Sequence, residues 1–208
     1  MMPELSTAVF SEDRVHRYSL TREVSPRQGV CVVCMLNPST ADERRNDPSV
    51  NRCIHFAKAL LCGKLIVVNL FAFRATDTAE LKRENEEMGR DIIGPANDQA
   101  IISAMEQATV PIVAWGNHGT YLKRGDAVLE MLKGLNVAPL YAFKLTKLGQ
   151  PIHPLYLPDS AHRSMVRMDL GWGREVTPSP LGSEDGGEHS YYHRTGKYAP
   201  GASEDPDR

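Results

Sequence analysis

A chain of 208 residues holds one packed domain, or at most one and a half. Its 41% hydrophobic and 24% charged residues exclude wholesale disorder, collagen-like repetition and a disulfide-dense mini-scaffold. The formal net charge of -2 provides no global field toward polyanions, so any nucleic-acid or nucleotide site has to be local.

Met1 and Met2 lead into no apolar leader, and the four cysteines Cys31, Cys34, Cys53 and Cys62 do not space like a secreted framework. Both features point to a reducing cytoplasm. The longest apolar stretches, such as Leu65 to Phe73, fall far short of the roughly 20 residues that span a bilayer, so no membrane is expected as a partner.

In chain order, His16 to Leu20 alternates polar and apolar residues and predicts an added edge strand. Four short valine- and isoleucine-rich runs predict buried parallel strands: Val30 to Leu36, Leu65 to Leu70, Val110 to Trp115 and Val137 to Phe143. Between the first two, Asp47 and Pro48 open a helix whose Val50, Ile54, Ala57 and Leu61 share a face, with Asn51, His55 and Lys58 in water and Gly63 as the stop. Pro95 and Asp98 open a second helix with a stripe of Ile101, Ile102, Met105 and Ala108, and Thr120 to Lys133 forms a third with Leu122, Leu129 and Leu132. Alternation of strand and helix predicts an α/β fold with a central, mainly parallel sheet.

Residues 1–173 read as one domain. From Arg174 onward the chain carries four basic and seven acidic residues, with Val176 and Leu181 as its only branched aliphatic side chains. Such a segment cannot offset its ordering entropy by burial, so residues 174–208 read as a disordered acidic tail. Its Tyr191-Tyr192-His193-Arg194 cluster offers a docking peptide for a protein partner.

Ligands of open α/β sheets bind outside the carboxyl ends of the strands, and here those exits are unusually polar. They read Asn37-Pro38-Ser39-Thr40, then Asn69-Leu70-Phe71-Ala72-Phe73-Arg74, then Trp115-Gly116-Asn117-His118-Gly119, then Lys144 to Pro158. Asn37-Pro38 is a turn by default, and Thr40-x-x-Glu43 reads as a capping box. Asn69 stands out, because a buried amide has an oxygen and two hydrogens to satisfy. His153 lies between two prolines that freeze its backbone and aim its imidazole. Cys31 and Cys34 sit three apart in a strand and face opposite ways, so they do not chelate one ion, and no metal or other cofactor is expected. Walker, dinucleotide and nucleophile-elbow motifs do not occur.

The strings MLNPSTAD, DPSVNRC, VVNLFAFRATD, GPAND, AWGNHG and TKLGQPIHPLYLP, from about Arg17 to Leu157, resemble the bacterial and phage domain-of-unknown-function family 1643. More distantly, the exits resemble, in the same order, those of the uracil-DNA glycosylase superfamily. That resemblance implies a three-layer α/β sandwich that recognises a nucleobase and acts at its N-glycosidic linkage. By motif, Asn37 then positions the attacking water, Asn69 reads the base edge and His153 stabilises the departing base anion, with Leu155 near the duplex wedge or pocket rim.

Phe71, Tyr156, Trp115 and His118 become candidates for packing on the base, and Arg74, Arg52 and Lys147 for phosphate contacts, beside Arg44, Arg45 and Lys144. The chain departs from the superfamily in lacking an aspartate or tyrosine after Pro38, and in reading His153-Pro154-Leu155-Tyr156 where the superfamily has His-Pro-Ser. These departures point away from efficient uracil excision and toward a modified base, a free nucleoside or nucleotide, or a different transfer at the glycosidic carbon. The alternative expectation is a non-catalytic nucleotide or nucleic-acid binding module.

Overall fold

Val32, Val33, Val67, Val68 and Ile112 build the centre of the molecule, because β-branched residues stack well on a sheet buried on both faces. The computed structural model describes residues 6–135 and 138–168. Within them lie β1 (Ser6–Phe10), β2 (Arg17–Glu23), β3 (Val30–Met35), α1 (Pro48–Ala59), β4 (Lys64–Asn69) and α2 (Thr78–Glu86). There follow α3 (Asn97–Glu106), β5 (Val110–Val113), α4 (Arg124–Lys133), β6 (Tyr141–Ala142) and β7 (Val166–Arg167).

The strands form one sheet in the order β1-β2-β4-β3-β5-β6-β7. Its middle, β4-β3-β5-β6, is parallel, and antiparallel strands extend it on both sides. Alternate residues feed two cores. Cys31, Val33, Leu65 and Val67 pack with Val50, Cys53 and Phe56 of α1. Val32, Cys34, Ile66 and Val68 pack with Ile101 of α3 and Val128 of α4. The chain is therefore an α/β protein with helices on both faces of a mixed sheet. Cys31 and Cys34 fall in different cores, and all four cysteines are buried and free.

Several expectations need correction. The strand expected at the edge is β2, and it lies inside the sheet because β1 pairs with its outer side. α1 starts as read, with Asp47 Oδ1 accepting the Val50 N–H (2.8 Å), but it ends earlier than Gly63. Leu61 takes the left-handed turn (φ 59°) and stands exposed instead of joining the buried face. Gly63 is needed for close approach, since a Cβ there would sit 1.6 Å from the Arg27 carbonyl oxygen.

The third helix begins at Arg124, not Thr120, because Leu122 and Lys123 both take positive φ. That break lets the Tyr121 hydroxyl donate to Glu86 on α2 (2.9 Å), with Asn85 Oδ1 3.2 Å away, and it leaves Leu122 exposed. The fourth run yields only Tyr141–Ala142, since Pro139 lacks a ladder donor; Val137 lies outside the described residues. No helix follows Thr40-x-x-Glu43. Instead, Asp42 accepts the Arg44 and Arg45 N–H groups (both 2.8 Å) and Glu43 pairs with Arg14. The expected tail lies outside the described residues. Among the described residues no helix is long and apolar enough to cross a membrane.

Candidate functional site

The exits of β3 and β4 continue to hydrogen-bond beyond the sheet. Leu70 and Phe71 donate to the carbonyls of Met35 and Leu36 (both 2.9 Å), and Ala75 donates to Pro38 (3.0 Å). The register sets Asn69 beside Met35, with Asn37 two residues further along at the same edge. Asn37 Nδ2 donates to the Ala75 (2.9 Å) and Pro38 (3.2 Å) carbonyls. Its amide hydrogens are thereby committed to holding the turn, and its Oδ1 receives no donor among the described residues.

Asn69, the last residue of β4, is 1% exposed. Its Oδ1 accepts from Arg17 Nη2 (3.3 Å), while its Nδ2 has no partner among the described residues. An unmet buried donor costs about 1–3 kcal/mol, which makes this amide the most conspicuous group at the edge. Arg17 is equally enclosed at 1% exposed, because the start of β2 runs against the end of β4 and its backbone N–H donates to the Ala72 carbonyl (2.8 Å).

The Arg17 guanidinium donates also to the Ala41 carbonyl (3.0 Å), and its Nε–H is unpartnered among the described residues. Burial lowers its pKa to about 10, opposed by the nearby Asp47 carboxylate and reinforced by the positive charges of Arg74 and Arg22. It therefore stays a cation at neutral pH, with no carboxylate bonded to it among the described residues.

Asp47 caps α1 and also lies near His153, whose pKa its charge raises against the stronger effect of burial. The net result lowers the imidazole to about 4, so it is neutral at physiological pH. Its Nδ1 accepts the Leu155 N–H (3.3 Å), which leaves the ring proton on Nε2 as an available donor. The segment is held by the Gly116 N–H donating to Pro151 (2.7 Å) and the Ile152 N–H donating to Lys144 (2.9 Å). Gly116 meets this demand with φ 72°, a conformation other residues rarely adopt.

At the carboxyl edge of the parallel strands, Asn69 is thus hydrogen-bonded to Arg17, and the charge of Asp47 acts on both Arg17 and His153. Asn69 and His153 are candidates from the sequence, whereas the other two are not. Arg17 was part of a strand pattern, Asp47 only a helix cap, and neither pattern shows where a side chain at a strand end points. Asn97 was also missed: fully buried, its Nδ2 donates to the Asn69 (3.0 Å) and Leu70 (2.9 Å) carbonyls and braces the β4 exit from the α3 side.

The other candidates distribute differently. Phe71 and Trp115 lie inside the core on the α3/α4 side. Trp115 donates to Gln150 (3.1 Å) and lies against Gly119, where a Cβ would fall 2.0 Å from its ring. Tyr156 is 80% exposed with its ring centroid 5.9 Å from that of His153. Leu155 is exposed beside it, and His118 is exposed in the turn after β5.

Arg52 covers Phe56 and binds the Leu157 carbonyl and the Asp159 carboxylate, tying the segment after His153 to α1. Arg74 donates weakly to the Ser39 and Arg14 carbonyls (both 3.4 Å), and Arg44, Arg45, Lys144 and Lys147 are exposed. An open depression of about 460 Å³, lined by Ser11, Glu12, Asp13, His16, Tyr18 and Pro95, opens beside His16 and Tyr18, which flank Arg17 and alternate to the other face of β2.

The family model described as "Protein of unknown function (DUF1643)" matches residues 17–155, the segment that begins at Arg17 and includes Asn37, Asp47, Asn69 and His153. Neither a curated protein nor a solved structure matches the chain.

Proposed function

The chain belongs to the DUF1643 family, and on that footing we propose that it recognises a nucleobase at the Asn69–Arg17–Asp47–His153 edge and acts at the N-glycosidic linkage, in a fold of uracil-DNA glycosylase type. One observation carries this reading. A neutral imidazole with its proton held on Nε2 and an enclosed amide with an unspent N–H stand at the same edge. Breaking a glycosidic bond moves negative charge onto the base, and fixed neutral donors at the base heteroatoms lower that barrier as an oxyanion hole does, by about 100-fold or more per donor. Asn69 holds the base edge, His153 receives the developing charge, and the free Oδ1 of Asn37 offers an acceptor for water.

The test is base release from labelled single- and double-stranded oligonucleotides carrying uracil, 5-hydroxymethyluracil or hypoxanthine. Release by the wild type that drops at least about tenfold in His153→Ala is the expected result. Release that is unchanged in that variant, or absent on every substrate, overturns the catalytic reading. The binding-module alternative draws support from the Asn37 amide, both of whose acceptors are backbone carbonyls, and from the absence of a carboxylate in Met35 to Thr40. Ligand binding without release would select it.

A further inference from the structure

Resting on the nucleobase reading, we infer that the Arg17–Asn69 pair selects a 6-oxopurine, meeting the adjacent O6 and N7 acceptors of hypoxanthine or guanine with its two unspent donors. A free carboxamide offers a ligand both an acceptor and a donor. Here the acceptor is already taken, because Asn69 Oδ1 receives Arg17 Nη2 (3.3 Å), and only the Nδ2–H edge remains. On a planar guanidinium the Nε–H points to the same side as Nη2, so the unpartnered Nε–H of Arg17 faces the side on which Asn69 lies. The two unpartnered donors therefore belong to side chains already joined through Nη2 and Oδ1, one of them is cationic, and neither meets an acceptor among the described residues.

Base edges can be sorted against that pattern. Uracil alternates acceptor, donor and acceptor, so a second donor would meet its N3–H. Adenine places an amino donor beside N7. A 6-oxopurine presents O6 and N7 as two acceptors side by side, the edge that arginine reads most often in nucleic acids. Cytosine pairs N3 with O2, but its N4 amino group flanks N3 and would point at the same donors. Neither donor is open to solvent, so entry requires local movement. Arg17 is held on its other side by the Ala41 carbonyl, in a turn outside the strands and helices.

The experiment is calorimetric titration of the full chain with inosine, 7-deazainosine, adenosine, cytidine and uridine. Inosine should bind tightest, with 7-deazainosine, which lacks only the N7 acceptor, and adenosine each weaker by about tenfold or more. A 7-deazainosine affinity within about twofold of inosine overturns the inference, since N7 would then go unread. Uridine or cytidine binding tighter than inosine overturns it while leaving the nucleobase reading in place; binding of no nucleoside overturns it too, and overturns both readings when no base is released from the oligonucleotides.

Arg17→Met is a hazardous variant because the side chain is enclosed, so Asn69→Asp is the informative one. It is isosteric and gives the guanidinium a carboxylate. The variant should stay folded and lose inosine affinity by about tenfold or more, because the substitution replaces the Nδ2 donor with an acceptor oxygen and the new carboxylate takes up the Arg17 Nε–H. Wild-type affinity in folded Asn69→Asp overturns the inference.

Discussion

Two arginines are buried against the exit of β4, one on each face of the sheet, and their surroundings are completed differently. On the α3/α4 face, Arg124 donates through Nε to the Leu70 carbonyl (2.9 Å) and bridges Asp98, while Trp115 wedges against Gly119 and Gly125. On the α1 face, Arg17 has only a carbonyl and an amide oxygen as acceptors, and it keeps an unmet Nε–H beside the unmet amide of Asn69. A buried cation is expensive unless paired and fully hydrogen-bonded. The first arginine is paired and has no buried nitrogen without a partner among the described residues, and it reads as architecture. The second does not, and an unmet requirement of this kind is what a ligand can supply.

The comparison breaks or sharpens at defined positions. The largest effect is expected from Gly119→Ala, whose methyl group would meet the buried indole: unfolding free energy should drop by about 3–4 kcal/mol in urea denaturation. A nearly silent substitution would show that the α3/α4 face is not rigid. Arg124→Met should follow at about 2–3 kcal/mol, through loss of a charged hydrogen bond and the Asp98 bridge.

The third expectation concerns pH. His153 is held to about 4 in the folded protein, whereas an unfolded histidine titrates near 6.5, so between those values the unfolded chain binds more protons. Stability therefore falls as pH drops from about 6.5 to about 4, by about 2 kcal/mol after discounting for partial exposure of the ring. His153→Gln should flatten the denaturation profile across that window, and an unchanged slope would remove burial as the cause.

The smallest effect is Asn69→Asp, which supplies the acid that Arg17 lacks and should raise stability by about 1 kcal/mol at pH 7. Destabilisation would mean that Asp47 already neutralises Arg17.

Much of the scaffold was legible from the chain. Valine-rich runs located β3, β4 and β5, and Asp47-Pro48 located the start of α1, because hydrophobic period and capping chemistry are local properties. α2 escaped notice since only Leu81 of its nine residues is buried, although Asp77 three residues before Glu80 was an available signal: Asp77 accepts the Glu80 N–H (2.8 Å). β1 could not be read as the outer strand, because pairing partners are a non-local property.

The same limit shaped the site. Asn37, Asn69 and His153 announced themselves by standing at strand exits. Phe71 and Trp115 stand at exits too, and only the packing of α3 and α4 shows that their rings turn inward. Arg17 carried no exit signal at all, since β2 runs against its neighbour and presents its first residue, not its last, to that edge.

Helix α1 carries more of the edge than its length of 12 residues suggests. Asp47 caps its first turn, and Arg52, one turn further on, grips the Leu157 carbonyl and the Asp159 carboxylate beyond His153. The acid and the imidazole segment are thereby mounted on a common chassis. Gly116 and Lys144 tie the same imidazole segment to the exits of β5 and β6, so it is gripped from the helix and from the sheet at once. The spacing of Asp47 and His153 is therefore set by the scaffold from two sides.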